Sequence, residues 1–175
     1  MLMSVEEFKT YVDTDMADVA LEARLRALEL LIRAHTHNNF QKRGYQARAS
    51  ITGAALEASA PLPFKIGDTI QITESLWNEG LFTVNSVSGA TCAVKEELTD
   101  EPEVLCIRVE YPMDVKMGAV NMLKWDLENR DKVGVQSETI SRHSVTYFNM
   151  DGENSSLGYP KSLTGFLKPY MRARF

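Results

Sequence analysis

"FKIGDTIQITES", Phe64–Ser75, sets Ile70 and Ile72 on one side of Gln71 and Thr73. Period-two alternation of this kind is the signature of a half-buried strand. "GLFTVNSV" (80–87), "TCAVKEEL" (91–98) and "VLCIRVEY" (104–111) repeat it, with turn signals at Asn78-Glu79-Gly80, Ser88-Gly89 and Asp100-Glu101-Pro102 between them. Together with Ala47–Ile51 they make four or five short antiparallel strands, enough for a small barrel or curled sheet. Ile70, Ile72, Phe82, Val84, Val94, Ile107 and Val109 are its expected core.

On both sides of this block the period changes to that of a helix. Ser4-Val5-Glu6-Glu7 is a capping-box pattern, and it opens a short helix to about Val12 with Val5, Phe8 and Val12 on its buried side. In "DMADVALEARLRALELLIRAHTHNNF", Leu21, Leu25, Leu28 and Ile32 stack on one face, which Leu31 and Ala20 widen. Asp15 and Asp18 suit the positive end of the helix dipole, Arg33 and His35 the negative end. A third helix starts at Tyr111-Pro112-Met113-Asp114, runs to about Lys132 and is capped by Gly134. Its apolar residues Val115, Ala119, Met122, Leu123, Trp125 and Leu127 cover more than one stripe. Pro160 starts a last short helix carrying Leu163, Phe166, Leu167 and Tyr170.

The fold class is therefore α+β: a small helical bundle of three main helices plus a short C-terminal helix, built from residues 1–44 and 112–175. Residues 45–111 form an inserted β-rich subdomain, and residues 135–148 an extended arm. At 175 residues and 44% hydrophobic content the chain can bury a core without disulfides or metals. Met1-Leu2-Met3 runs directly into acidic, helix-forming sequence, and no apolar run approaches the roughly 20 residues of a membrane span. A soluble protein made in a cytoplasm is expected, with no membrane partner.

The insertion is acidic: four basic side chains (Arg48, Lys65, Lys95, Arg108) stand against ten acidic ones in residues 45–111. That balance suits phosphate binding poorly, because nucleic-acid affinity comes largely from Lys and Arg. Residues 161–175 are the opposite, with Lys161, Lys168, Arg172, Arg174 and no acid. Such a tail fits a solvated terminus, a nucleic-acid contact or an acidic partner surface.

"GVQSETISRHSVTYF" (134–148) places Ser141 and Ser144 around Arg142-His143. A Ser/His hydrolase also needs a group orienting the base and an oxyanion hole, and no Gly-x-Ser-x-Gly elbow occurs in the chain. On one extended strand Ser141 and His143 would share a face about 7 Å apart. His35 and His37 point in different directions on a helix, and Cys92 and Cys106 lack a ligand spacing. The plainer reading makes the cysteines small buried side chains on neighbouring strands. No glycine pattern cradles a phosphate, so no cofactor, metal or catalytic residue is assigned. Read as a single strand, 137–148 puts Thr139, Ser141, His143, Val145 and Tyr147 on one face and Ile140, Arg142, Ser144, Thr146 and Phe148 on the other. Neither face is cleanly apolar, which favours an arm that pairs with a neighbour's edge by main-chain hydrogen bonds.

The order of these parts, with "DMADVALEARLRALELLIRAHTHNNFQKR", "GAVNMLKWDLENRDKVGVQSETISRHSVTY" and "YPKSLTGFLKPYMRARF", resembles the head-tail connector proteins of tailed phages. The likeness is nearest to adaptor or head-completion proteins and their prophage members in Gram-positive bacteria. It covers residues 4–43 and 112–175, and its most specific piece is the Ser-Glu-x-Ile then Ser-Val-Thr-Tyr run. The resemblance implies a structural subunit of a homo-oligomeric ring, twelvefold in order, at the virion neck. Such a ring docks beneath a portal protein, leaves a channel through which DNA passes, and presents a platform to the next head-completion or tail protein. Assembly would take place in the bacterial host cytoplasm. It further implies inter-subunit or docking contacts at Ser137, Ile140, His143, Val145 and Tyr147, and a portal-binding end at Phe166, Tyr170, Arg172, Arg174 and Phe175. The insertion departs from simpler members, which pass from helix to helix by a short connection, and a protein-contact or ring-decorating role suits it. The alternative from another class is a nucleic-acid-binding module using the basic tail and the small barrel.

Overall fold

The alternating segments close on one another into a barrel. The structure, a computed structural model, describes residues 1–129, 137–140, 143–146 and 153–173. These divide into two compact units, Met1 with Asn39–Tyr111, and Leu2–Asn38 with Pro112–Phe175.

In the first unit six strands are all antiparallel: β1 (Gln41–Thr52), β2 (Ala55–Glu57), β3 (Thr69–Thr73), β4 (Gly80–Ser88), β5 (Thr91–Val94) and β6 (Glu101–Val109). Their order around the closed sheet is β1-β2-β5-β4-β3-β6, with β6 returning to β1. Closure leaves no open edge, which removes the main aggregation hazard of a sheet. Ile70, Ile72, Val84, Leu56 and Val104 are wholly buried inside, together with Phe82, Val94, Leu62 and Phe64. Each such side chain contributes roughly 1.5–3 kcal/mol by leaving water. Ile70, Ile72, Phe82, Val84 and Val94 are in this core as expected; Ile107 and Val109 are buried too, but on the face of β6 opposite Val104 and Cys106, so they lie outside the barrel's core cluster.

Two details differ from the sequence reading. The barrel unit begins at Asn39 and β1 at Gln41, ahead of residue 45. Lys42 to Gln46 of β1 are solvent-exposed, so no apolar alternation marks the start of the strand. Cys92 and Cys106 are both buried and free, but they lie on β5 and β6, which are not adjacent. They are brought into one core by closure of the barrel.

The second unit is assembled from both ends of the chain. Helix α1 (Val5–Lys9) is capped as its sequence demands, with the Ser4 hydroxyl accepting from the Glu7 amide at 3.0 Å. Helix α2 (Asp18–Thr36) buries Leu21, Leu25, Leu28 and Ile32, and also Glu29, while Ala20 faces solvent. It ends at His37 in the left-handed conformation (φ 50°). Helix α3 (Met113–Asn129) buries Val115, Ala119, Val120, Met122 and Leu123, and leaves Trp125 and Leu127 half-buried. Its expected end at Lys132 and cap at Gly134 lie outside the described residues. Two strand pairs follow, β7 (Ser137–Ile140) with β8 (His143–Thr146), and β9 (Ser155–Ser156) with β10 (Tyr159–Pro160). A single turn, α4 (Lys161–Thr164), leads into a 3-10 helix, Gly165–Tyr170. No helix among the described residues is long and apolar enough to cross a membrane.

Candidate functional site

The segment from Ser137 to Thr146 is a ribbon of two strands and not one strand. Ser137 pairs with Thr146, Glu138 with Val145, Thr139 with Ser144 and Ile140 with His143. The two faces expected for a single strand therefore do not exist as drawn, and Ser144 stands opposite Thr139. Two-residue connections are the commonest way to reverse a strand, but they normally announce themselves with Asn-Gly, Asp-Gly or a leading glycine. Ser141-Arg142 carries no such signal, so the reversal was hidden in the sequence. Ser141, Arg142 and Tyr147 lie outside the described residues.

Among the described residues the ribbon pairs with no third strand. Among these residues, then, the main-chain donors and acceptors on both outer edges have no strand partner. A two-stranded ribbon is at best marginally stable in water by itself. What this arrangement can do chemically is add to another sheet edge, with the main chain supplying the contact.

The C-terminal end is anchored by its main chain. The Arg172 amide donates to the Thr36 carbonyl at 2.8 Å, and the Asn38 side-chain amide donates to the Tyr170 carbonyl at 3.2 Å. An orphan carbonyl at the end of α2 is satisfied in this way, and residues 170–172 are fixed against that helix. Phe166 is half-buried with its ring over Gly118. The Tyr170 hydroxyl donates to Asp114 at 2.7 Å, and this hydrogen bond, with some burial and the carboxylate's charge, raises the phenol above its ordinary range. Of the expected portal-binding end, Phe166 and Tyr170 are half-buried and make contacts within their own unit, whereas Arg172 is exposed. Arg174 and Phe175 lie outside the described residues.

One exposed feature was not expected from the sequence. Leu76 and Trp77, 83% and 72% exposed, sit at the tip of the loop between β3 and β4. That loop is built by polar contacts with the first residue of β6 and the loop before it. Buried Glu101 accepts from the Ser75 hydroxyl (2.6 Å), the Leu76 amide (2.6 Å) and the Asn78 side-chain amide (2.9 Å). Buried Asn78 also donates to the Thr99 carbonyl and accepts from the Thr99 amide. The Ser75 hydroxyl, through its hydrogen bond, and then the Leu76 amide hold the Glu101 carboxyl below the usual range. The signal that could have found this tip was the Leu76-Trp77 pair itself, two large apolar residues inside a turn.

Among the described residues no three His, Cys, Asp or Glu side chains gather where a metal could bind. His35 lies in the last turn of α2 and His37 caps it. Compared with protein-family models the chain matches none, and compared with curated proteins it likewise matches none.

Proposed function

We propose that this protein is a structural ring subunit of a phage neck, joining the portal to the next head-completion or tail protein around a DNA channel. The observation that carries the proposal is the ribbon 137–146, whose outer edges have no strand partner among the described residues. It falls on the Ser-Glu-x-Ile and Ser-Val-Thr run through which the chain resembles connector proteins. A subunit that must interlock with neighbours needs such an edge, and an enzyme does not. The ribbon, residues 137–147, is assigned to neighbouring subunits, and the exposed end from Arg172 onward to the portal. The barrel serves as a protein-contact module: a net charge of −6 over residues 45–111 opposes the phosphate contacts that a nucleic-acid module would make.

Electron microscopy of the protein mixed with a portal protein from the same genome tests this. A ring seated on the portal is expected. Failure to join the portal, with or without rings in isolation, would overturn the neck assignment.

A further inference from the structure

We propose that copies of this protein join head to tail, the Leu76–Trp77 tip of one barrel seating in a groove on the helical unit of the next copy. The groove, about 420 Å³, is lined by Arg24, Ala27, Leu28 and Leu31 of α2, with Asp126 of α3 and Tyr159. It opens to solvent and falls in the size range of pockets that take a bulky apolar group. Its own tyrosine is fixed, because the Tyr159 hydroxyl donates to Asp126 at 2.6 Å and its ring packs 5.7 Å from that of Trp125.

The tip has the properties of an anchor residue pair. A tryptophan buries roughly 150–250 Å² on docking, and aromatic anchors dominate most interface energetics. Leu76 and Trp77 follow Ser75 and precede Asn78, whose polar atoms are bonded to Glu101 and Thr99. Little order remains to be imposed on binding, which is the condition for strong association by a small patch.

Charge selects a second copy as the occupant. Glu79, next but one to Trp77, and Glu97, next but one to Thr99, are exposed and form no ion pair among the described residues. Arg24 in the groove and Lys161, next but one to Tyr159, are likewise exposed and form none. Acidic flanks on the tip thus meet basic flanks on the groove, an arrangement that steers encounter and fixes orientation. Because the two patches differ, the contact is heterologous, and repeating it generates a ring where the rotation closes. The inference rests on the ring proposed above and names one contact of it.

Sedimentation velocity over a range of concentrations tests the contact with two exposed substitutions, Trp77→Ala on the tip and Ala27→Glu in the groove. Each variant alone is expected to lose about tenfold or more in self-association relative to the unaltered protein. Mixed together, they retain one intact tip and one intact groove, so a 1:1 dimer and nothing larger is expected. In parallel, Leu76→Cys, which keeps Trp77, mixed with Ala27→Cys is expected to give a disulfide-linked dimer on mild oxidation, since Cys92 and Cys106 are buried. Unchanged assembly by Trp77→Ala, or a mixture that yields neither the dimer nor the cross-link, would overturn the contact, as would unaltered protein that stays monomeric while the paired cysteine variants give no cross-link. Trp77→Ala copies that still form rings on the portal would remove this contact and leave the ring standing. Tip-to-groove dimers from a protein that joins no portal would keep the contact and remove the neck role.

Discussion

The Phe166 ring lies directly on Gly118: a β-carbon built there would sit 2.3 Å from its Cε1 and 2.4 Å from its Cζ. Hydrogen at position 118 is thus what lets the C-terminal segment lie against α3.

Gly118→Ala sets two effects against each other. Alanine gains about 1 kcal/mol in helix propensity over glycine, while overpacking a fitted contact costs about 1–3 kcal/mol. The ring must leave its seat, so a net loss of about 1 kcal/mol is expected in urea denaturation. Adding Phe166→Ala removes the clash. The double variant should therefore be more stable than the sum of the two single changes predicts, the sign expected for residues in direct contact.

A second expectation concerns acid. The folded Glu101 carboxyl is held below its ordinary value near 4.5, first by the Ser75 hydroxyl and next by the Leu76 amide. A depressed folded pKa contributes stability above the unfolded value, and that stability is lost as pH falls through the folded one. In a Trp125→Phe background, Trp77 emission should hold steady above pH 5 and change as pH drops below about 4. Glu101→Gln should show the low-pH emission already at neutral pH. A variant whose Trp77 emission matches the parent at both pH values would show that the carboxylate does not brace the tip.

How much of this was readable beforehand follows from the range of each interaction. Ile70, Ile72, Phe82 and Val84 alternate within short windows, and Leu21, Leu25, Leu28 and Ile32 recur at helical spacing, so the barrel strands and α2 were legible. The contacts that shape these surfaces are distant in sequence. Asn78 reaches Glu101 across 23 positions, and Asn38 reaches Tyr170 across 132. No window contains both partners. The ribbon at 137–146 failed for a local reason: its strands were visible as Ser, Thr, Ile and Val, but its reversal lacked glycine or asparagine. The groove was invisible because Tyr159 and Asp126 meet Arg24 and Leu31 only after both chain ends fold together.

Tyr170 gives an alkaline counterpart. Its phenol is raised mainly by the hydrogen bond to Asp114. A raised folded pKa contributes stability that is complete below the unfolded value near 10 and is lost as pH rises through the folded one. Absorbance titration at alkaline pH should find one tyrosine ionising late, and Asp114→Asn should return it to the ordinary range. An unchanged late tyrosine in that variant would assign the shift to another group.

The last expectation uses the cysteines as reporters of barrel closure. Burial pushes the Cys106 thiol up to about 12, with the nearby Cys92 adding to it, and burial raises Cys92 as well. The thiolate is the reactive species, so neither thiol should react with a disulfide reagent at pH 8 while the barrel is shut. In guanidinium both should react promptly. At intermediate denaturant, reaction should follow opening of the barrel. Ile72→Ala, which leaves a cavity costing about 2–5 kcal/mol in that core, should then raise the labelling rate of Cys92 and Cys106 together by tenfold or more. Gly118→Ala, confined to the other unit, should leave that rate unchanged if the two units open independently. Acceleration by Gly118→Ala in proportion to its own destabilisation would show instead that barrel and helical unit unfold as one.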